Sequence, residues 1–172
     1  PTQRTIDPTL LLTAEDYDTI AAPRIIADKY LLLYSRRHNS QMNTFADRIA
    51  KEKNLKVIDI SLRAFENEQH TPFYQAGVEE FLSLVKHAEC VVTNSFHGII
   101  ISVQYRRNFY GFTRQECNTK INELMALFGL DGHLYITGEE RFDDPEYVDV
   151  HRRIAQAREK SIEFLNKSLA LL

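Results

Sequence analysis

The sequence is poor in the features that settle a function on their own. It has two cysteines, Cys90 and Cys117, among 172 residues. They form no C-x-x-C pair, which excludes a thiol redox motif and a cysteine-based zinc cluster. The expectation is two small, mostly buried side chains in a reducing compartment. Neither sign of charge is in excess: 21 basic and 24 acidic residues leave a formal charge of -3. That argues against non-specific nucleic-acid binding, which shows as a basic excess, but is compatible with a local basic pocket for a small anion. No apolar run approaches the roughly 20 residues of a membrane span. No secretory signal pattern, internal repeat or low-complexity tract is visible.

What is present suits one α/β domain. The chain is 44% hydrophobic and 26% charged, near the globular average, so a core can form without disulfides or metal. It begins Pro1-Thr2 without an initiator methionine, and the expectation is a piece of a longer protein.

Strand and helix patterns alternate. Lys29 to Ser35 is a continuous apolar run, the pattern of a buried parallel strand. Met42, Phe45, Ala46, Ile49 and Ala50 then recur at helical spacing, with Asn39 or Ser40 as the cap. Lys56 to Ser61 reads as a second strand, and residues 63–75 as an irregular loop. Val78, Phe81, Leu82 and Val85 mark a helix, with Glu79 and Glu80 in its first turn and Lys86 and His87 in its last, as the helix dipole favours. Glu89 to Thr93 reads as a strand running through Asn94-Ser95-Phe96-His97-Gly98 into the apolar helix Ile99 to Val103. Asn108 to Phe112 is a further strand. Ile121, Leu124, Met125 and Phe128 mark a helix closed by Gly129. Val150, Ile154, Ile162, Leu165, Leu169 and Leu172 predict a long final helix packed on the domain or on a partner domain. The remaining tyrosines and phenylalanines read as core. The whole predicts a Rossmann-like parallel sheet with helices on both faces, with residues 1–28 as a joining segment and 29–172 as the domain.

Ligands of such sheets bind beyond the carboxyl ends of the strands. Two loops qualify, 35–38 and 93–98, and the strands before them are expected to lie side by side. In the second loop, Asn94 and Ser95 can cap the following helix, whose first-turn N–H groups form an anion site. Gly98 permits close approach of a ligand or of neighbouring chain. His97 can exchange a proton near neutrality, or serve as a structural histidine bonded to backbone. In the first loop, Arg36 and Arg37 can grip a phosphate or carboxylate in bidentate fashion. Arg114, after the last strand, is a further candidate anion contact. His38 adjoins the arginines, His70 falls in the irregular loop, His87 ends a helix, and His133 and His151 read as solvated. The spacing of His87, Cys90 and His97 fits no zinc pattern, so no metal is expected.

Thr93-Asn94-Ser95-Phe96-His97-Gly98 resembles the signature of the polysaccharide pyruvyl transferases. Asp7-Pro8-Thr9-Leu10-Leu11-Leu12 resembles the segment joining that family's two halves, and Tyr30 to Ser35 the first strand of its second half. Glu80-Phe81-Leu82, Phe109-Tyr110 and Lys120 to Leu130 continue the match, over roughly residues 5–131. The resemblance implies the C-terminal domain of a GT-B-like two-domain enzyme, with an N-terminal domain completing the cleft. It also implies transfer of the enolpyruvyl group of phosphoenolpyruvate to hydroxyls of a sugar or lipid-linked glycan, with no cofactor. Phosphate is released and a pyruvate ketal remains. Such an enzyme is cytoplasmic, able to work at the inner face of the membrane.

On this reading His97 is the catalytic acid or base. Arg36, Arg37, Asn94, Ser95, Phe96, Gly98 and Arg114 bind the donor. One position departs: some pyruvyl transferases carry arginine two places before the histidine, where Ser95 stands, so another residue must supply that cation. The alternatives are a GT-B glycosyltransferase using a nucleotide-sugar and a non-catalytic binding module. The paired glutamates of retaining glycosyltransferases are not matched, since Glu116 and Glu123 stand seven apart.

Overall fold

The computed structural model describes residues 4–61, 67, 69–113, 118–135 and 145–170. Five parallel strands form one sheet in the order β3-β2-β1-β4-β5. They are β1 (Tyr30–Tyr34), β2 (Lys56–Asp59), β3 (Thr71–Pro72), β4 (Cys90–Thr93) and β5 (Phe109–Gly111). β1 is central: Leu32 pairs with Ile58 on one side and with Val91 on the other.

Alternation along β1 assigns the two faces. Leu31 and Leu33 point with Val57, Cys90 and Val92 toward α2 (Ser40–Lys53), which supplies Met42, Phe45, Ala46 and Ile49. Tyr30 and Leu32 point with Ile58 and Val91 to the opposite face. That face is covered by α3 (Val78–Lys86), α4 (Phe96–Gln104), α5 (Asn118–Phe128) and the start of α6 (Tyr147–Leu169). Helices on both faces leave β1 buried on each side, which is why its sequence is apolar throughout. Each fully buried aliphatic side chain contributes about 1.5–3 kcal/mol.

Local signals explain the element ends. Asn39 caps α2, its Oδ1 accepting from Met42 N–H at 3.1 Å. Gly129 follows α5 with φ +70°. The Leu130 N–H then bonds Met125 C=O at 3.0 Å, the Schellman closure that a left-handed glycine allows.

Three expectations need correction. Thr71-Pro72 is a strand pairing with β2, not loop; its proline is tolerated because the strand lies at the sheet edge. The α6 stripe is apolar-packed only through Val150 and Ile154. Further along, the buried position is Ser161, while Ile162, Leu165 and Leu169 are exposed, and Leu172 lies outside the described residues. His133 is buried and stacked on Phe109 at 5.7 Å. His151 is half-buried, with Nε2 at 3.0 Å from Val103 C=O.

Residues 4–28 form a strap across the α4 face, including α1 (Ala14–Asp18). Leu10 and Tyr17 enter the core. Among the bonds that pin the strap, Ser161 Oγ accepts from Ile6 N–H, Arg158 donates to Leu10 and Leu12 C=O, and Gln104 Nε2 donates to Leu12 C=O.

Candidate active site

β1 and β4 are hydrogen-bonded neighbours, with Tyr34 aligned to Thr93. The chain leaves β1 toward β2 on one side and returns for β4 on the other. The gap between their carboxyl ends is therefore the topological switch point, where open α/β sheets bind ligands. Loops 35–39 and 94–95 meet there, as their positions after the two strands suggest.

Asn94 joins the two loops. It is 1% exposed. Its Oδ1 accepts from Arg36 N–H at 2.8 Å, and its Nδ2 donates to Arg37 C=O at 2.8 Å. Ser35 Oγ donates to the same Arg37 carbonyl. Thr93 Oγ1 donates to Tyr34 C=O at 2.8 Å and accepts from Ser95 N–H at 3.0 Å. Ser95 is buried and caps α4, its Oγ accepting from Gly98 N–H at 3.2 Å. The side chains of Asn94 and Ser95 are thus committed to building the site.

Gly98 is demanded by packing. A Cβ there would lie 2.5 Å from Thr93 Oγ1 and 3.1 Å from Tyr34 Cδ1. The absent side chain lets α4 seat directly on the ends of β1 and β4. With Gly98 N–H taken by Ser95, the amides of Phe96 and His97 are the first-turn donors left for an anion. No acidic residue stands in this turn.

His97 follows on the second residue of α4. Its side chain is 59% exposed, and its Nε2 lies 3.9 Å from Asp7 Oδ2. Asp7 sits on the strap with Oδ1 fixed by Thr9 N–H at 3.0 Å and Thr9 O–H at 2.6 Å. Phe96 meets the His97 ring edge-on at 5.4 Å and lines a cavity of about 350 Å³ with Leu10, Leu124 and Leu127.

Arg36, Arg37 and His38 are exposed beyond β1. Arg36 lines a cavity of about 430 Å³ at the carboxyl ends of β1, β2 and β3. Arg114 and Glu116 lie outside the described residues.

Two features are not evident from sequence. One is Asp7 beside His97, a contact between residues far apart in the chain. The other is His70, buried between α2 and β2 with Nε2 at 2.7 Å from Asp47 Oδ1 and Nδ1 at 3.6 Å from Asp59 Oδ2. Burial opposes a charge on His70, but the Asp59 and Asp47 carboxylates outweigh it and raise its pKa. Burial likewise pushes Asp59 up, but bonds from His70 and Ser61 hold it below the ordinary carboxylate range. Asp59 Oδ1 also accepts from Ser61 N–H at 2.7 Å, fixing the chain at the cavity edge.

No curated protein matches the chain in sequence. Solved structures with a similar fold include UDP-GlcNAc 2-epimerase from Methanocaldococcus jannaschii, 14% identical with a TM-score of 0.46 over 89% of this chain and 48% of that one. The same enzyme in complex with UDP-GlcNAc and UDP gives 14% and 0.47, over 94% and 49%. The iron-containing dodecameric glycosyltransferase TibC from enterotoxigenic E. coli gives 15% and 0.44, over 87% and 48%. The chain spans about half the length of these structures. The family described as polysaccharide pyruvyl transferase matches residues 1–116, which include the strap, the β1 and β4 loops and His97. The chain belongs to the polysaccharide pyruvyl transferase family.

Proposed function

We propose that the protein transfers the pyruvyl group of phosphoenolpyruvate to two hydroxyls of a sugar, forming a ketal. The observation that carries this reading is His97, half open on the first turn of α4, at the switch point and facing Asp7. The family is consistent with polysaccharide modification.

The chemistry sets the roles. The methylene carbon of the donor gains a proton, and positive character builds at the adjacent carbon. A sugar hydroxyl attacks that carbon and loses its proton. The carbon–oxygen bond to phosphate breaks, and a second hydroxyl closes the ketal. Of the two hydroxyl protons, one ends on the new methyl group and one on the released phosphate. His97 supplies or removes the proton in the first addition. The Phe96 and His97 amides hold an anionic group of the donor, and Arg36 or Arg37 holds another. Asn94, Ser95 and Gly98 hold these groups in register. Ser95 brings no charge, so the cation comes from Arg36, Arg37, Arg114 or the other half of the cleft. The acceptor is a free or lipid-linked glycan. Residues 1–28 join this domain to an N-terminal domain, and the enzyme works in the cytoplasm or at the inner membrane face.

The test is phosphate release from phosphoenolpyruvate by the full-length protein with a saccharide acceptor, beside calorimetric titration of the donor. His97→Ala should lower kcat by about a hundred-fold to ten-thousand-fold. Turnover unchanged in His97→Ala removes the catalytic role. Binding of a nucleotide-sugar in place of phosphoenolpyruvate turns the reading to glycosyl transfer. A folded, donor-bound protein without turnover turns it to a binding module.

A further inference from the structure

The cavity at the carboxyl ends of β1, β2 and β3 has a different character from the α4 helix start. It measures about 430 Å³, far more than a three-carbon phosphate fills. Its walls are aromatic: Tyr34, Phe73, Tyr74 and Phe81 line it, with Arg36 and Ser61 among the polar contributors. The Tyr34 and Phe81 rings pack at 5.0 Å and 52°. Tyr74 is 58% exposed at the rim, unusually open for a ring of that size.

From this cavity we infer the acceptor subsite, taking a neutral pyranose ring of the glycan. The inference rests on the pyruvyl-transfer reading and adds to it where the acceptor binds. A pyranose offers an apolar face of C–H groups to an aromatic ring and hydroxyls at its edge. The Tyr74 ring supplies the platform, and the Arg36 guanidinium and Ser61 hydroxyl supply edge contacts.

Charge separates a sugar from a nucleotide here. The cavity reaches Gly77 and Val78, where α3 begins. A helix start ordinarily favours phosphate. This one carries Glu79 and Glu80 in its first turn, and Glu80 Oε2 already accepts from Gly77 N–H at 2.9 Å. Two carboxylates in that turn oppose a diphosphate at its N–H groups. The first turn of α4 itself carries no acidic residue, so of the two helix starts at this edge of the sheet it is the one that invites an anion.

Tyr34 links the two. Its Cδ1 lies 3.1 Å from where a Gly98 Cβ would stand, and the residue also lines the cavity. A sugar seated here is next to the turn that carries His97, with Arg36 at the boundary.

Saturation-transfer NMR on the full-length protein tests the assignment, with methyl glucoside, methyl galactoside, methyl mannoside and uridine monophosphate as probes. At least one glycoside should receive saturation through the C–H protons of one ring face. Tyr74→Ala should abolish that transfer and raise the acceptor KM about ten-fold, roughly 1.4 kcal/mol of binding, with the phosphoenolpyruvate KM unmoved. Tyr74→Phe, which keeps the ring, should restore both. Absence of glycoside saturation, saturation indifferent to Tyr74→Ala, or uridine monophosphate displacing the glycoside overturns the subsite. Glycoside binding here by a protein that never consumes phosphoenolpyruvate overturns the parent reading and leaves the saccharide pocket standing.

Discussion

The Nε2 atom of His97 faces Oδ2 of Asp7 at 3.9 Å, although 90 positions separate the two residues in the chain. The separation is too long for a hydrogen bond, so the carboxylate acts on His97 through its charge. Both groups are partly exposed, and the pair adds little to stability. Its consequence lies in the cleft: Asp7 places a carboxylate beside the exposed ring of His97. Asp7→Asn, which removes that charge and keeps the shape, should lower kcat/KM while leaving the denaturation midpoint nearly unchanged. Measuring both quantities for both proteins checks it, and an unchanged kcat/KM contradicts the role.

Asn94 is the brace of the cleft. Asn94→Ala removes the acceptor for Arg36 N–H and the donor to Arg37 C=O together. The expected loss is about 2 kcal/mol in chemical denaturation. The β1 loop loses its tie to β4, so the donor KM should rise along with it.

Gly98→Ala forces a methyl group into 2.5 Å of Thr93 Oγ1. It should cost about 1–3 kcal/mol. If that contact is the cause, Thr93→Ala in the same chain should relieve part of it. The double variant is then less destabilised than the sum of the singles, which a double-mutant cycle measures.

His70, Asp47 and Asp59 predict a stability window. The pKa of His70 is raised, so its contribution is complete below the unfolded value of about 6.5 and is lost as pH rises through the raised value. The pKa of Asp59 is lowered, so its contribution is present above the unfolded value of about 3.9 and is lost as pH falls through the lowered value. The denaturation midpoint should fall as pH rises above about 6.5 in the wild type. His70→Asn should flatten that slope. A midpoint in the wild type that rises over this range contradicts the sign.

The parts of this molecule legible from sequence are those written in local pattern. The apolar β1 run, the α2 stripe, the Gly129 closure and the loop after β4 all follow from spacing and residue type. The neighbouring of β1 and β4 follows from the logic of parallel sheets. What sequence conceals depends on tertiary packing. Asp131-Gly132-His133 is locally polar, yet His133 is covered because it stacks on Phe109. Phe73 and Tyr74 lie in a stretch without periodicity, where nothing distinguishes an aromatic wall from loop residues. Asp7 belongs to a stretch notable for its leucines, and its bearing on His97 comes from folding the strap across α4. The identity of the charged partner of His97 thus depends on chain geometry rather than on the signature itself.

The strap also has an architectural consequence. The family match ends at residue 116, but the latch on the strap does not. Ile6 and Leu10 are fastened by Ser161 and Arg158 of α6, about as far along the chain as the fold extends. The first and last segments of the domain therefore close on each other like a belt through its buckle, and Asp7 is carried on the belt. Relatives whose sequences diverge beyond the signature can keep every residue of the β4 loop and still carry the strap, and the residue at position 7 with it, elsewhere, because the latch belongs to α6.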